Sequence, residues 1–468
     1  MTATTNRVAV VGGGIAGLAA AWELVGRLPA LDVTVYEAAP QIGGKLRVGE
    51  LAGHAVDVGA EALLIRRPEG RRLIESLGLD DDLVAPLTLS AGIRARGSNH
   101  AIPRRTLMGI PGDLDALAAA GILSAAGLSR VAAEARLPPL APLSADVAVG
   151  RLVRERMGDE LAERVVEPLL GGVYAGDPDR LSLVATAPAL YHQLRSGGSS
   201  LVAAAARLTD AGGSPPAEVF ASLRGGLGTL APALASRLPD VRTGTTVREI
   251  VRTEAGFRLT IGSTAQAQAV DVDAVVIATP AAKAARLLRG VARSAATELD
   301  RIDTASVAIV SLAYRDAEPP PGSGLLIGSG QGFTVKAITV TSHKWPGAEP
   351  GLTLLRASIG RVGDTSSLQR DDDELVGLAA REVGALLGVS STPIDHLVTR
   401  WGGGLPQYDV GHGDRVARIR TGVEGVPGLA MAGASYEGIG VPACIASGTA
   451  AADRVIDFLA RGGPAVDG

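Results

Sequence analysis

The chain has 468 residues, 46% hydrophobic and 20% charged, with a formal net charge of −4. That length suggests about two or three domains and a core that needs no disulfide or metal staples, which excludes a peptide hormone or a disulfide miniprotein. With 45 Lys and Arg against 49 Asp and Glu there is no electrostatic footprint for nucleic acid. Only four of the basic residues are lysines (Lys45, Lys283, Lys336 and Lys344), which, beside 61 Gly and 27 Pro, suggests the codon habit of a GC-rich bacterial genome. The single cysteine, Cys444, permits no intramolecular disulfide; it reads as a structural thiol and suits a reducing cytoplasm.

The first apolar run, Val8 to Val11, is too short for a signal-peptide core and flows straight into glycines. Residues 8 to 37 spell strand, glycine turn, helix to about Val25, and a second strand over Val33 to Tyr36, which is one βαβ unit. Within it, Gly12-x-Gly14-x-x-Gly17 has the strand-then-helix context that gives a weak pattern its meaning. Gly12 permits the tight turn, Gly14 lets a pyrophosphate approach the backbone, and Gly17 lets the helix pack on the strand. The helix N-terminus offers N–H groups and positive potential to phosphate. Glu37, 20 positions past Gly17, can accept hydrogen bonds from ribose hydroxyls and would repel a 2′-phosphate. NAD and FAD share this fingerprint. Gly43-Gly44-Lys45 and Asp57-Val58-Gly59-Ala60-Glu61 add positions of close backbone approach that a plain NAD domain does not need.

From about Arg94 to Ser214 the text is helical, closing with the turn-forming stretch Ala211 to Pro216. Its most apolar segment, Ala116 to Leu128, has thirteen mostly small residues and is too short to span a membrane. A core helix is expected there, with partial insertion into one leaflet as the alternative. Short strands follow, ending in Asp273 to Pro280, an apolar run that fits a buried parallel strand where the dinucleotide domain resumes. Gly226-x-Gly228-x-x-Ala231 mimics a second fingerprint and would suggest a reductase using both FAD and NAD(P)H; a turn before a packing helix is the favoured alternative. Alternating segments at Val307 to Leu312 and Leu352 to Ala357 suggest a second sheet between about 305 and 395. Trp401 to Gly404 and Ala432 to Pro442 are further glycine-rich segments, the latter leading to a terminal helix from about Ile445. An extended FAD reaching across several loops accounts for all of these glycine-rich turns. The six histidines show no ligand spacing, so no metal is expected, and hydrolase and Walker motifs are absent from the sequence.

The expected class is α/β. A Rossmann-type FAD-binding domain (1–90, 217–300 and 400–468) carries an inserted helical region (91–216) and a mixed-sheet substrate domain (301–399).

The fingerprint with Glu37 and Gly43-Gly44, the run Arg224 to Leu230, the run Val276 to Pro280 and the block from Ala432-Gly433 to Gly448 together carry a resemblance. Over nearly its whole length the sequence resembles the FAD-dependent porphyrinogen oxidases of haem synthesis, within the amine oxidase and phytoene desaturase superfamily. The resemblance implies that Gly12, Gly13, Gly14, Ile15, Ala16 and Gly17 hold the FAD phosphates, and Glu37 with Ala38 the adenosine ribose. It places Gly44, Lys45, Gly59, Ala60, Glu61 and Ala62 on the flavin side and pairs Val247 with adenine through its backbone. It also closes Trp401, Gly433, Ile439, Gly440 and Val441 over the flavin. The family often has Arg or a bulky residue in place of Lys45, and Gly-Pro in place of Gly59-Ala60.

For substrate, the resemblance assigns Arg94 to a propionate, with a solvated arginine as the alternative. Arg66 is a weaker candidate, and Gly324 and Leu326 would sandwich the macrocycle. No side chain is assigned a catalytic role, because flavin N5 accepts the hydride. Three two-electron cycles would use molecular oxygen and release hydrogen peroxide. Coproporphyrinogen III, with four propionates, is favoured over protoporphyrinogen IX, with two, because similar enzymes of Gram-positive bacteria generally take the former. Amine oxidases and carotenoid desaturases are the enzymatic alternatives; the first would want an aromatic cage, and only 3% of residues are aromatic. Rab GDP-dissociation inhibitors share the fold without flavin and are the non-enzymatic alternative. A cytoplasmic location is expected, with peripheral contact at the inner face of the membrane, a homodimer and contact with a haem-pathway enzyme left open.

Overall fold

The computed structural model describes residues 6–210 and 219–462; the turn expected over 211–216 and the domain boundary placed there lie outside them. Strand Arg7–Val11 is buried at four of its five positions because it runs mid-sheet, with both faces covered. The order across this sheet is Asp240–Arg242, Asp32–Tyr36, Arg7–Val11, Ala274–Ile277 and Leu429–Met431, all parallel. Its strands come from three distant parts of the chain. On one face pack helix Ile15–Arg27 and the terminal helix Val441–Ala460, close enough that a methyl on Gly448 would stand 2.3 Å from the Ala16 carbonyl oxygen. The terminal helix starts four residues earlier than expected, since Pro442 falls in the first turn, where no intrahelical N–H is needed. The other face packs against an antiparallel sheet of Val247–Thr253, Gly256–Ile261 and Gln268–Val272, and helices including Ala281–Leu288 and His412–Glu424.

A second, seven-stranded sheet has the order Asp395–Pro406, Thr304–Arg315, Leu352–Ile359, Val335–Val340, Gly324–Ile327, Ala91–Ala95 and Ser98–Ala101. It is mixed: Gly324–Ile327 pairs parallel with Ala91–Ala95, and the other neighbours run antiparallel. Strand alternation gives it two different faces. Ala308, Val310, Leu312 and Tyr314 pack toward helix Asp372–Leu387, whereas Val307 and Ile309 line the cavity described below.

Two sequence expectations change here, and one is decided. Residues 91–101, expected within the helical region, form two strands of the mixed sheet; Gly92 and Arg94 mask the apolar alternation of so short a segment. Ala116 to Leu128 is not one helix: Gly121, at φ +67, follows the end of Leu114–Ala119, and Ser124 Oγ caps Ala125–Ala132 by accepting from Gly127 N at 3.0 Å. Among the described residues no helix is long and apolar enough to cross a membrane. The Gly226 to Ala231 turn is no second dinucleotide site. It follows Phe220–Leu223, which pairs antiparallel with Leu63–Leu64 and Leu83–Val84, and its N–H groups at Leu227 and Gly228 donate to the Asp57 carboxylate at 2.8 Å each.

The helical region closes on a buried ion pair. Glu134, with no exposed surface, accepts from Arg156 Nη2 at 2.9 Å and from the Leu201 N–H at 2.9 Å, while Arg156 Nη1 donates to the Pro138 carbonyl at 2.9 Å. One carboxylate thus ties three chain segments together. Glu134→Ala strands the guanidinium and is expected to cost about 3–5 kcal/mol. Urea unfolding should show a lower midpoint at unchanged slope.

Candidate functional site

Between the two sheets lies a cavity of about 1030 Å³. Its floor begins at the first glycine turn. Gly12 sits at φ +112 and donates its N–H to Tyr36 O at 2.8 Å; a methyl there would meet Ala278 O at 2.8 Å. Gly17 is tighter, since a methyl would lie 2.0 Å from the Gly12 carbonyl oxygen, so helix and strand touch backbone to backbone. Gly14 is the N-cap of helix Ile15–Arg27, has no side-chain cap, and has open space where a Cβ would project. The first N–H groups of that helix are therefore left to a ligand. The second glycine pair folds onto the first: Gly43 N donates to Gly13 O at 2.8 Å, and a Cβ on Gly44 would lie 3.2 Å from Gly14 Cα. Glu37 is held by the same loop, its Oε2 accepting from Gly13 N at 2.8 Å and its Oε1 from Ala39 N at 2.7 Å. A carboxylate fixed through two backbone bonds beside an uncapped helix start suits a ribose next to a pyrophosphate.

Further along, a methyl on Gly59 would lie 2.0 Å from Lys45 O and 3.3 Å from the Trp401 ring. Trp401 is locked over this loop by its Nε1 donating to Val58 O at 2.9 Å, with the Arg47 guanidinium 5.3 Å from its ring centroid. Glu61 receives Lys344 and, at 2.7 Å, Arg356 Nη1, whose Nη2 also donates to Gly59 O at 2.7 Å. Burial pushes the Glu61 carboxyl up, and the two cations more than offset it, holding it below the usual carboxylate range. Burial likewise lowers the Lys45 ammonium and pushes the Cys444 thiol up to about 11, so Cys444 stays a thiol at neutral pH although it lies on the cavity wall.

Of the residues expected at the cofactor, Gly12, Gly14, Ile15, Ala16, Glu37, Ala38, Gly44, Lys45, Gly59, Ala60, Glu61, Ala62, Val247, Trp401, Gly433, Ile439 and Val441 all line this one cavity. Gly13, Gly17 and Gly440 do not: the first anchors Glu37, the second packs the helix, and the third is N-cap of the terminal helix. The expected substrate residues lie elsewhere. Arg94 is committed to Asn99 Oδ1 at 3.1 Å and to the Phe333 ring, and Arg66 is exposed in the turn before helix Pro68–Ser76. Gly324, at φ +153, abuts Ile338 O, where a methyl would stand 2.1 Å away. Leu326 stands behind the lining residue Gly172, its Cδ2 3.1 Å from where a Cβ would be.

Sequence reasoning missed a convergence of cations that folding brings about. All four lysines of the chain line this cavity, together with Arg47, Arg286 and Arg356, against two carboxylates among the described residues, Glu37 and Glu61. In a chain where arginine is the default cation, the positions that kept lysine converge on one place. The excess of positive charge, in a protein of net charge −4, suits a polyanionic ligand. Gly17→Ala is expected to overpack the helix start, costing about 1–3 kcal/mol. The purified variant should carry much less FAD, read as the ratio of visible flavin to protein absorbance.

Comparison with known proteins agrees with this geometry. A family described as flavin-containing amine oxidoreductases matches residues 15–456. A coproporphyrinogen III oxidase of Mycobacterium tuberculosis (strain ATCC 25618 / H37Rv) is 38% identical, covering 97% of this chain and 98% of that protein. One of Bacillus subtilis (strain 168) is 32% identical with the same coverages. A crystal structure from Exiguobacterium sp. 255-15, provisionally named a protoporphyrinogen oxidase, superposes with a TM-score of 0.87 at 31% identity, over 98% of this chain and 99% of that one. The two glycine loops, the uncapped helix and the fixed Glu37 fit FAD. This chain belongs to the flavin-containing amine oxidoreductase family and is an FAD-dependent oxidoreductase.

Proposed function

We propose that the chain oxidises coproporphyrinogen III to coproporphyrin III in haem synthesis, a six-electron oxidation with molecular oxygen as acceptor and hydrogen peroxide as product. The observation that carries this reading is the charge of the cavity. Its cations extend well past the glycine turns, to Lys336 and Arg356 on the mixed sheet and Lys344 on the short helix Thr341–Lys344, where they would face the substrate rather than the cofactor phosphates. A tetracarboxylate is the class of ligand such a wall attracts.

In this reading the parallel sheet with its glycine loops is the FAD half, and the mixed sheet with the helical region is the substrate half. The N-terminus of helix Ile15–Arg27 would hold the pyrophosphate, Glu37 the ribose, and the walls at Gly59 and Trp401 the flavin ring. When bound, FAD supplies hydride acceptance and reaction with oxygen, which no side chain can provide. The chain's own part is position and dryness. Val307, Ile309 and Trp401 present apolar surface from the mixed sheet, excluding water from the methylene carbons of a macrocycle laid against it. The cation-bound Glu61 keeps Lys344 and Arg356 in place while leaving that wall net positive.

The names of the mycobacterial and Bacillus relatives support the four-propionate substrate, while the Exiguobacterium protein's provisional name points to the two-propionate one. The test is porphyrin fluorescence as the FAD-loaded protein, in air, meets coproporphyrinogen III and protoporphyrinogen IX in parallel, with autoxidation subtracted. One additional charge-assisted hydrogen bond contributes about 1.5 kcal/mol, so kcat/KM should favour coproporphyrinogen III by tenfold or more. A preference for protoporphyrinogen IX, or no acceleration of either, overturns the proposal.

A further inference from the structure

Lys336 lies on the cavity wall with 4% of its surface exposed, the one charged residue of strand Val335–Val340. Simple alternation would not put it there. Val335, Ile338 and Val340 all pack into the core on the sheet's helix side, so the face must slip once between Val335 and Ile338. It slips at a β-bulge: Val335 pairs with Ile359 and Ala337 with Ser358, leaving Lys336 as the extra residue. The bulge turns two consecutive residues, Lys336 and Ala337, toward the cavity, and bulges beside functional sites commonly re-aim a side chain in this way.

Once aimed there, the ammonium finds little protein to bond. Among the described residues, its hydrogen-bond partner is the Gly171 carbonyl, 3.2 Å from Nζ, on helix Glu167–Tyr174. An ammonium has three N–H donors, so two remain. Lys344 and Arg356 share Glu61, but no carboxylate lies within ion-pair distance of Lys336 among the described residues. The charged neighbour it feels is another cation, Arg361, itself donating to Ile327 O at 2.8 Å. The acids around Arg361 are engaged by other donors. Glu382 accepts from the backbone N–H groups of Thr334 and Val335 at 3.0 and 2.8 Å, Glu167 from Ser329 N at 2.8 Å, and Asp364 from the hydroxyls of Ser366 and Ser367. A buried cation without a counter-charge is costly to retain unless a ligand brings the anion.

We infer that Lys336 is the substrate's carboxylate anchor: its free N–H groups donate to one carboxylate of the porphyrinogen, which becomes the missing counter-ion. The inference rests on the proposed function and adds the contact to it. Burial pushes the Lys336 ammonium down to about 8 in the free protein. Below that pH the charged form prevails and binds; as pH rises through 8 the charge, and with it the attraction, is lost. A bound carboxylate raises the ammonium's pKa, so proton uptake accompanies binding near and above pH 8.

The test uses FAD-loaded wild-type protein and Lys336→Met, with coproporphyrin III as a stable probe and its tetramethyl ester as the carboxylate-free control. Lys336→Met should weaken coproporphyrin III binding about tenfold or more, the scale of one charge-assisted bond. It should leave ester binding and FAD content unchanged, and raise KM for coproporphyrinogen III with kcat within about twofold. Wild-type affinity for coproporphyrin III should fall between pH 7 and 9, and that of the variant should stay flat. The wild-type titration needs no variant, and a flat wild-type profile by itself overturns the inference. So do equal affinities of wild type and variant, a fall in kcat at unchanged KM, which would mark a proton-transfer role, or loss of FAD, which would mark a cofactor contact. If wild type fails to oxidise coproporphyrinogen III at all, the proposed function falls instead.

Discussion

The site depends first on a contact between two stretches of backbone. Gly17 brings helix Ile15–Arg27 against strand Arg7–Val11 so closely that its hydrogen occupies the place where a methyl would lie 2.0 Å from the Gly12 carbonyl oxygen. Gly448 repeats the device where the terminal helix meets the same helix at Ala16. These approaches set the position of the uncapped helix start over the sheet. The second glycine pair and the Glu37 carboxylate are then hydrogen-bonded to that turn. A phosphate site built from N–H groups has no long side chains to adjust, so its precision is that of the backbone packing beneath it.

Facing this cradle is a sheet of the opposite character. The mixed sheet directs one set of alternate residues into an apolar core beneath helix Asp372–Leu387 and the other set at the cavity. Charge is therefore introduced onto a rigid surface. Glu61 illustrates the cost of doing so: it is held ionised only because Arg356 and Lys344 converge on it from the mixed sheet and the short helix Thr341–Lys344, and it in turn fixes them. Asp57 does related work out of reach of the cavity, accepting the N–H groups of the turn at Leu227 and Gly228 and joining the small antiparallel sheet to the loop that carries Gly59. The same glycine pattern, Gly226-x-Gly228, thus serves packing in one place and its counterpart serves phosphate in another. What separates them is the preceding strand: part of the five-stranded parallel sheet for Gly12, part of a small antiparallel sheet for Gly226.

What could be read from the linear text was whatever rests on local backbone chemistry. The fingerprint, its strand and helix, Glu37 and the later glycine segments are legible because close approach needs glycine wherever it occurs, and their spacing follows from strand and helix length. Helix Ile15–Arg27 and the parallel strand Ala274–Ile277 came with them. The strands at 91–101 were not legible, since the pairing that joins them to the mixed sheet, Ala91–Ala95 with Gly324–Ile327, spans more than 200 residues and their few residues carry Gly and Arg where alternation should show. The break at Gly121 was also hidden, because a run of alanines suits one helix as well as two. Arg94 was assigned to a propionate by resemblance, yet it lies outside the cavity lining, beside Asn99 and Phe333.

The sequence by itself determined the heart of the cofactor half: its glycines, its acid and its βαβ unit. Only the tertiary structure decided which cations line the cavity. The four lysines are scattered from position 45 to 344, and nothing local distinguishes Lys336, whose direction depends on a one-residue slip between two paired strands. Backbone conformations leave their mark on the residues that adopt them. Charge convergence does not, because the field in a cavity is the sum over segments that meet only when the chain has folded.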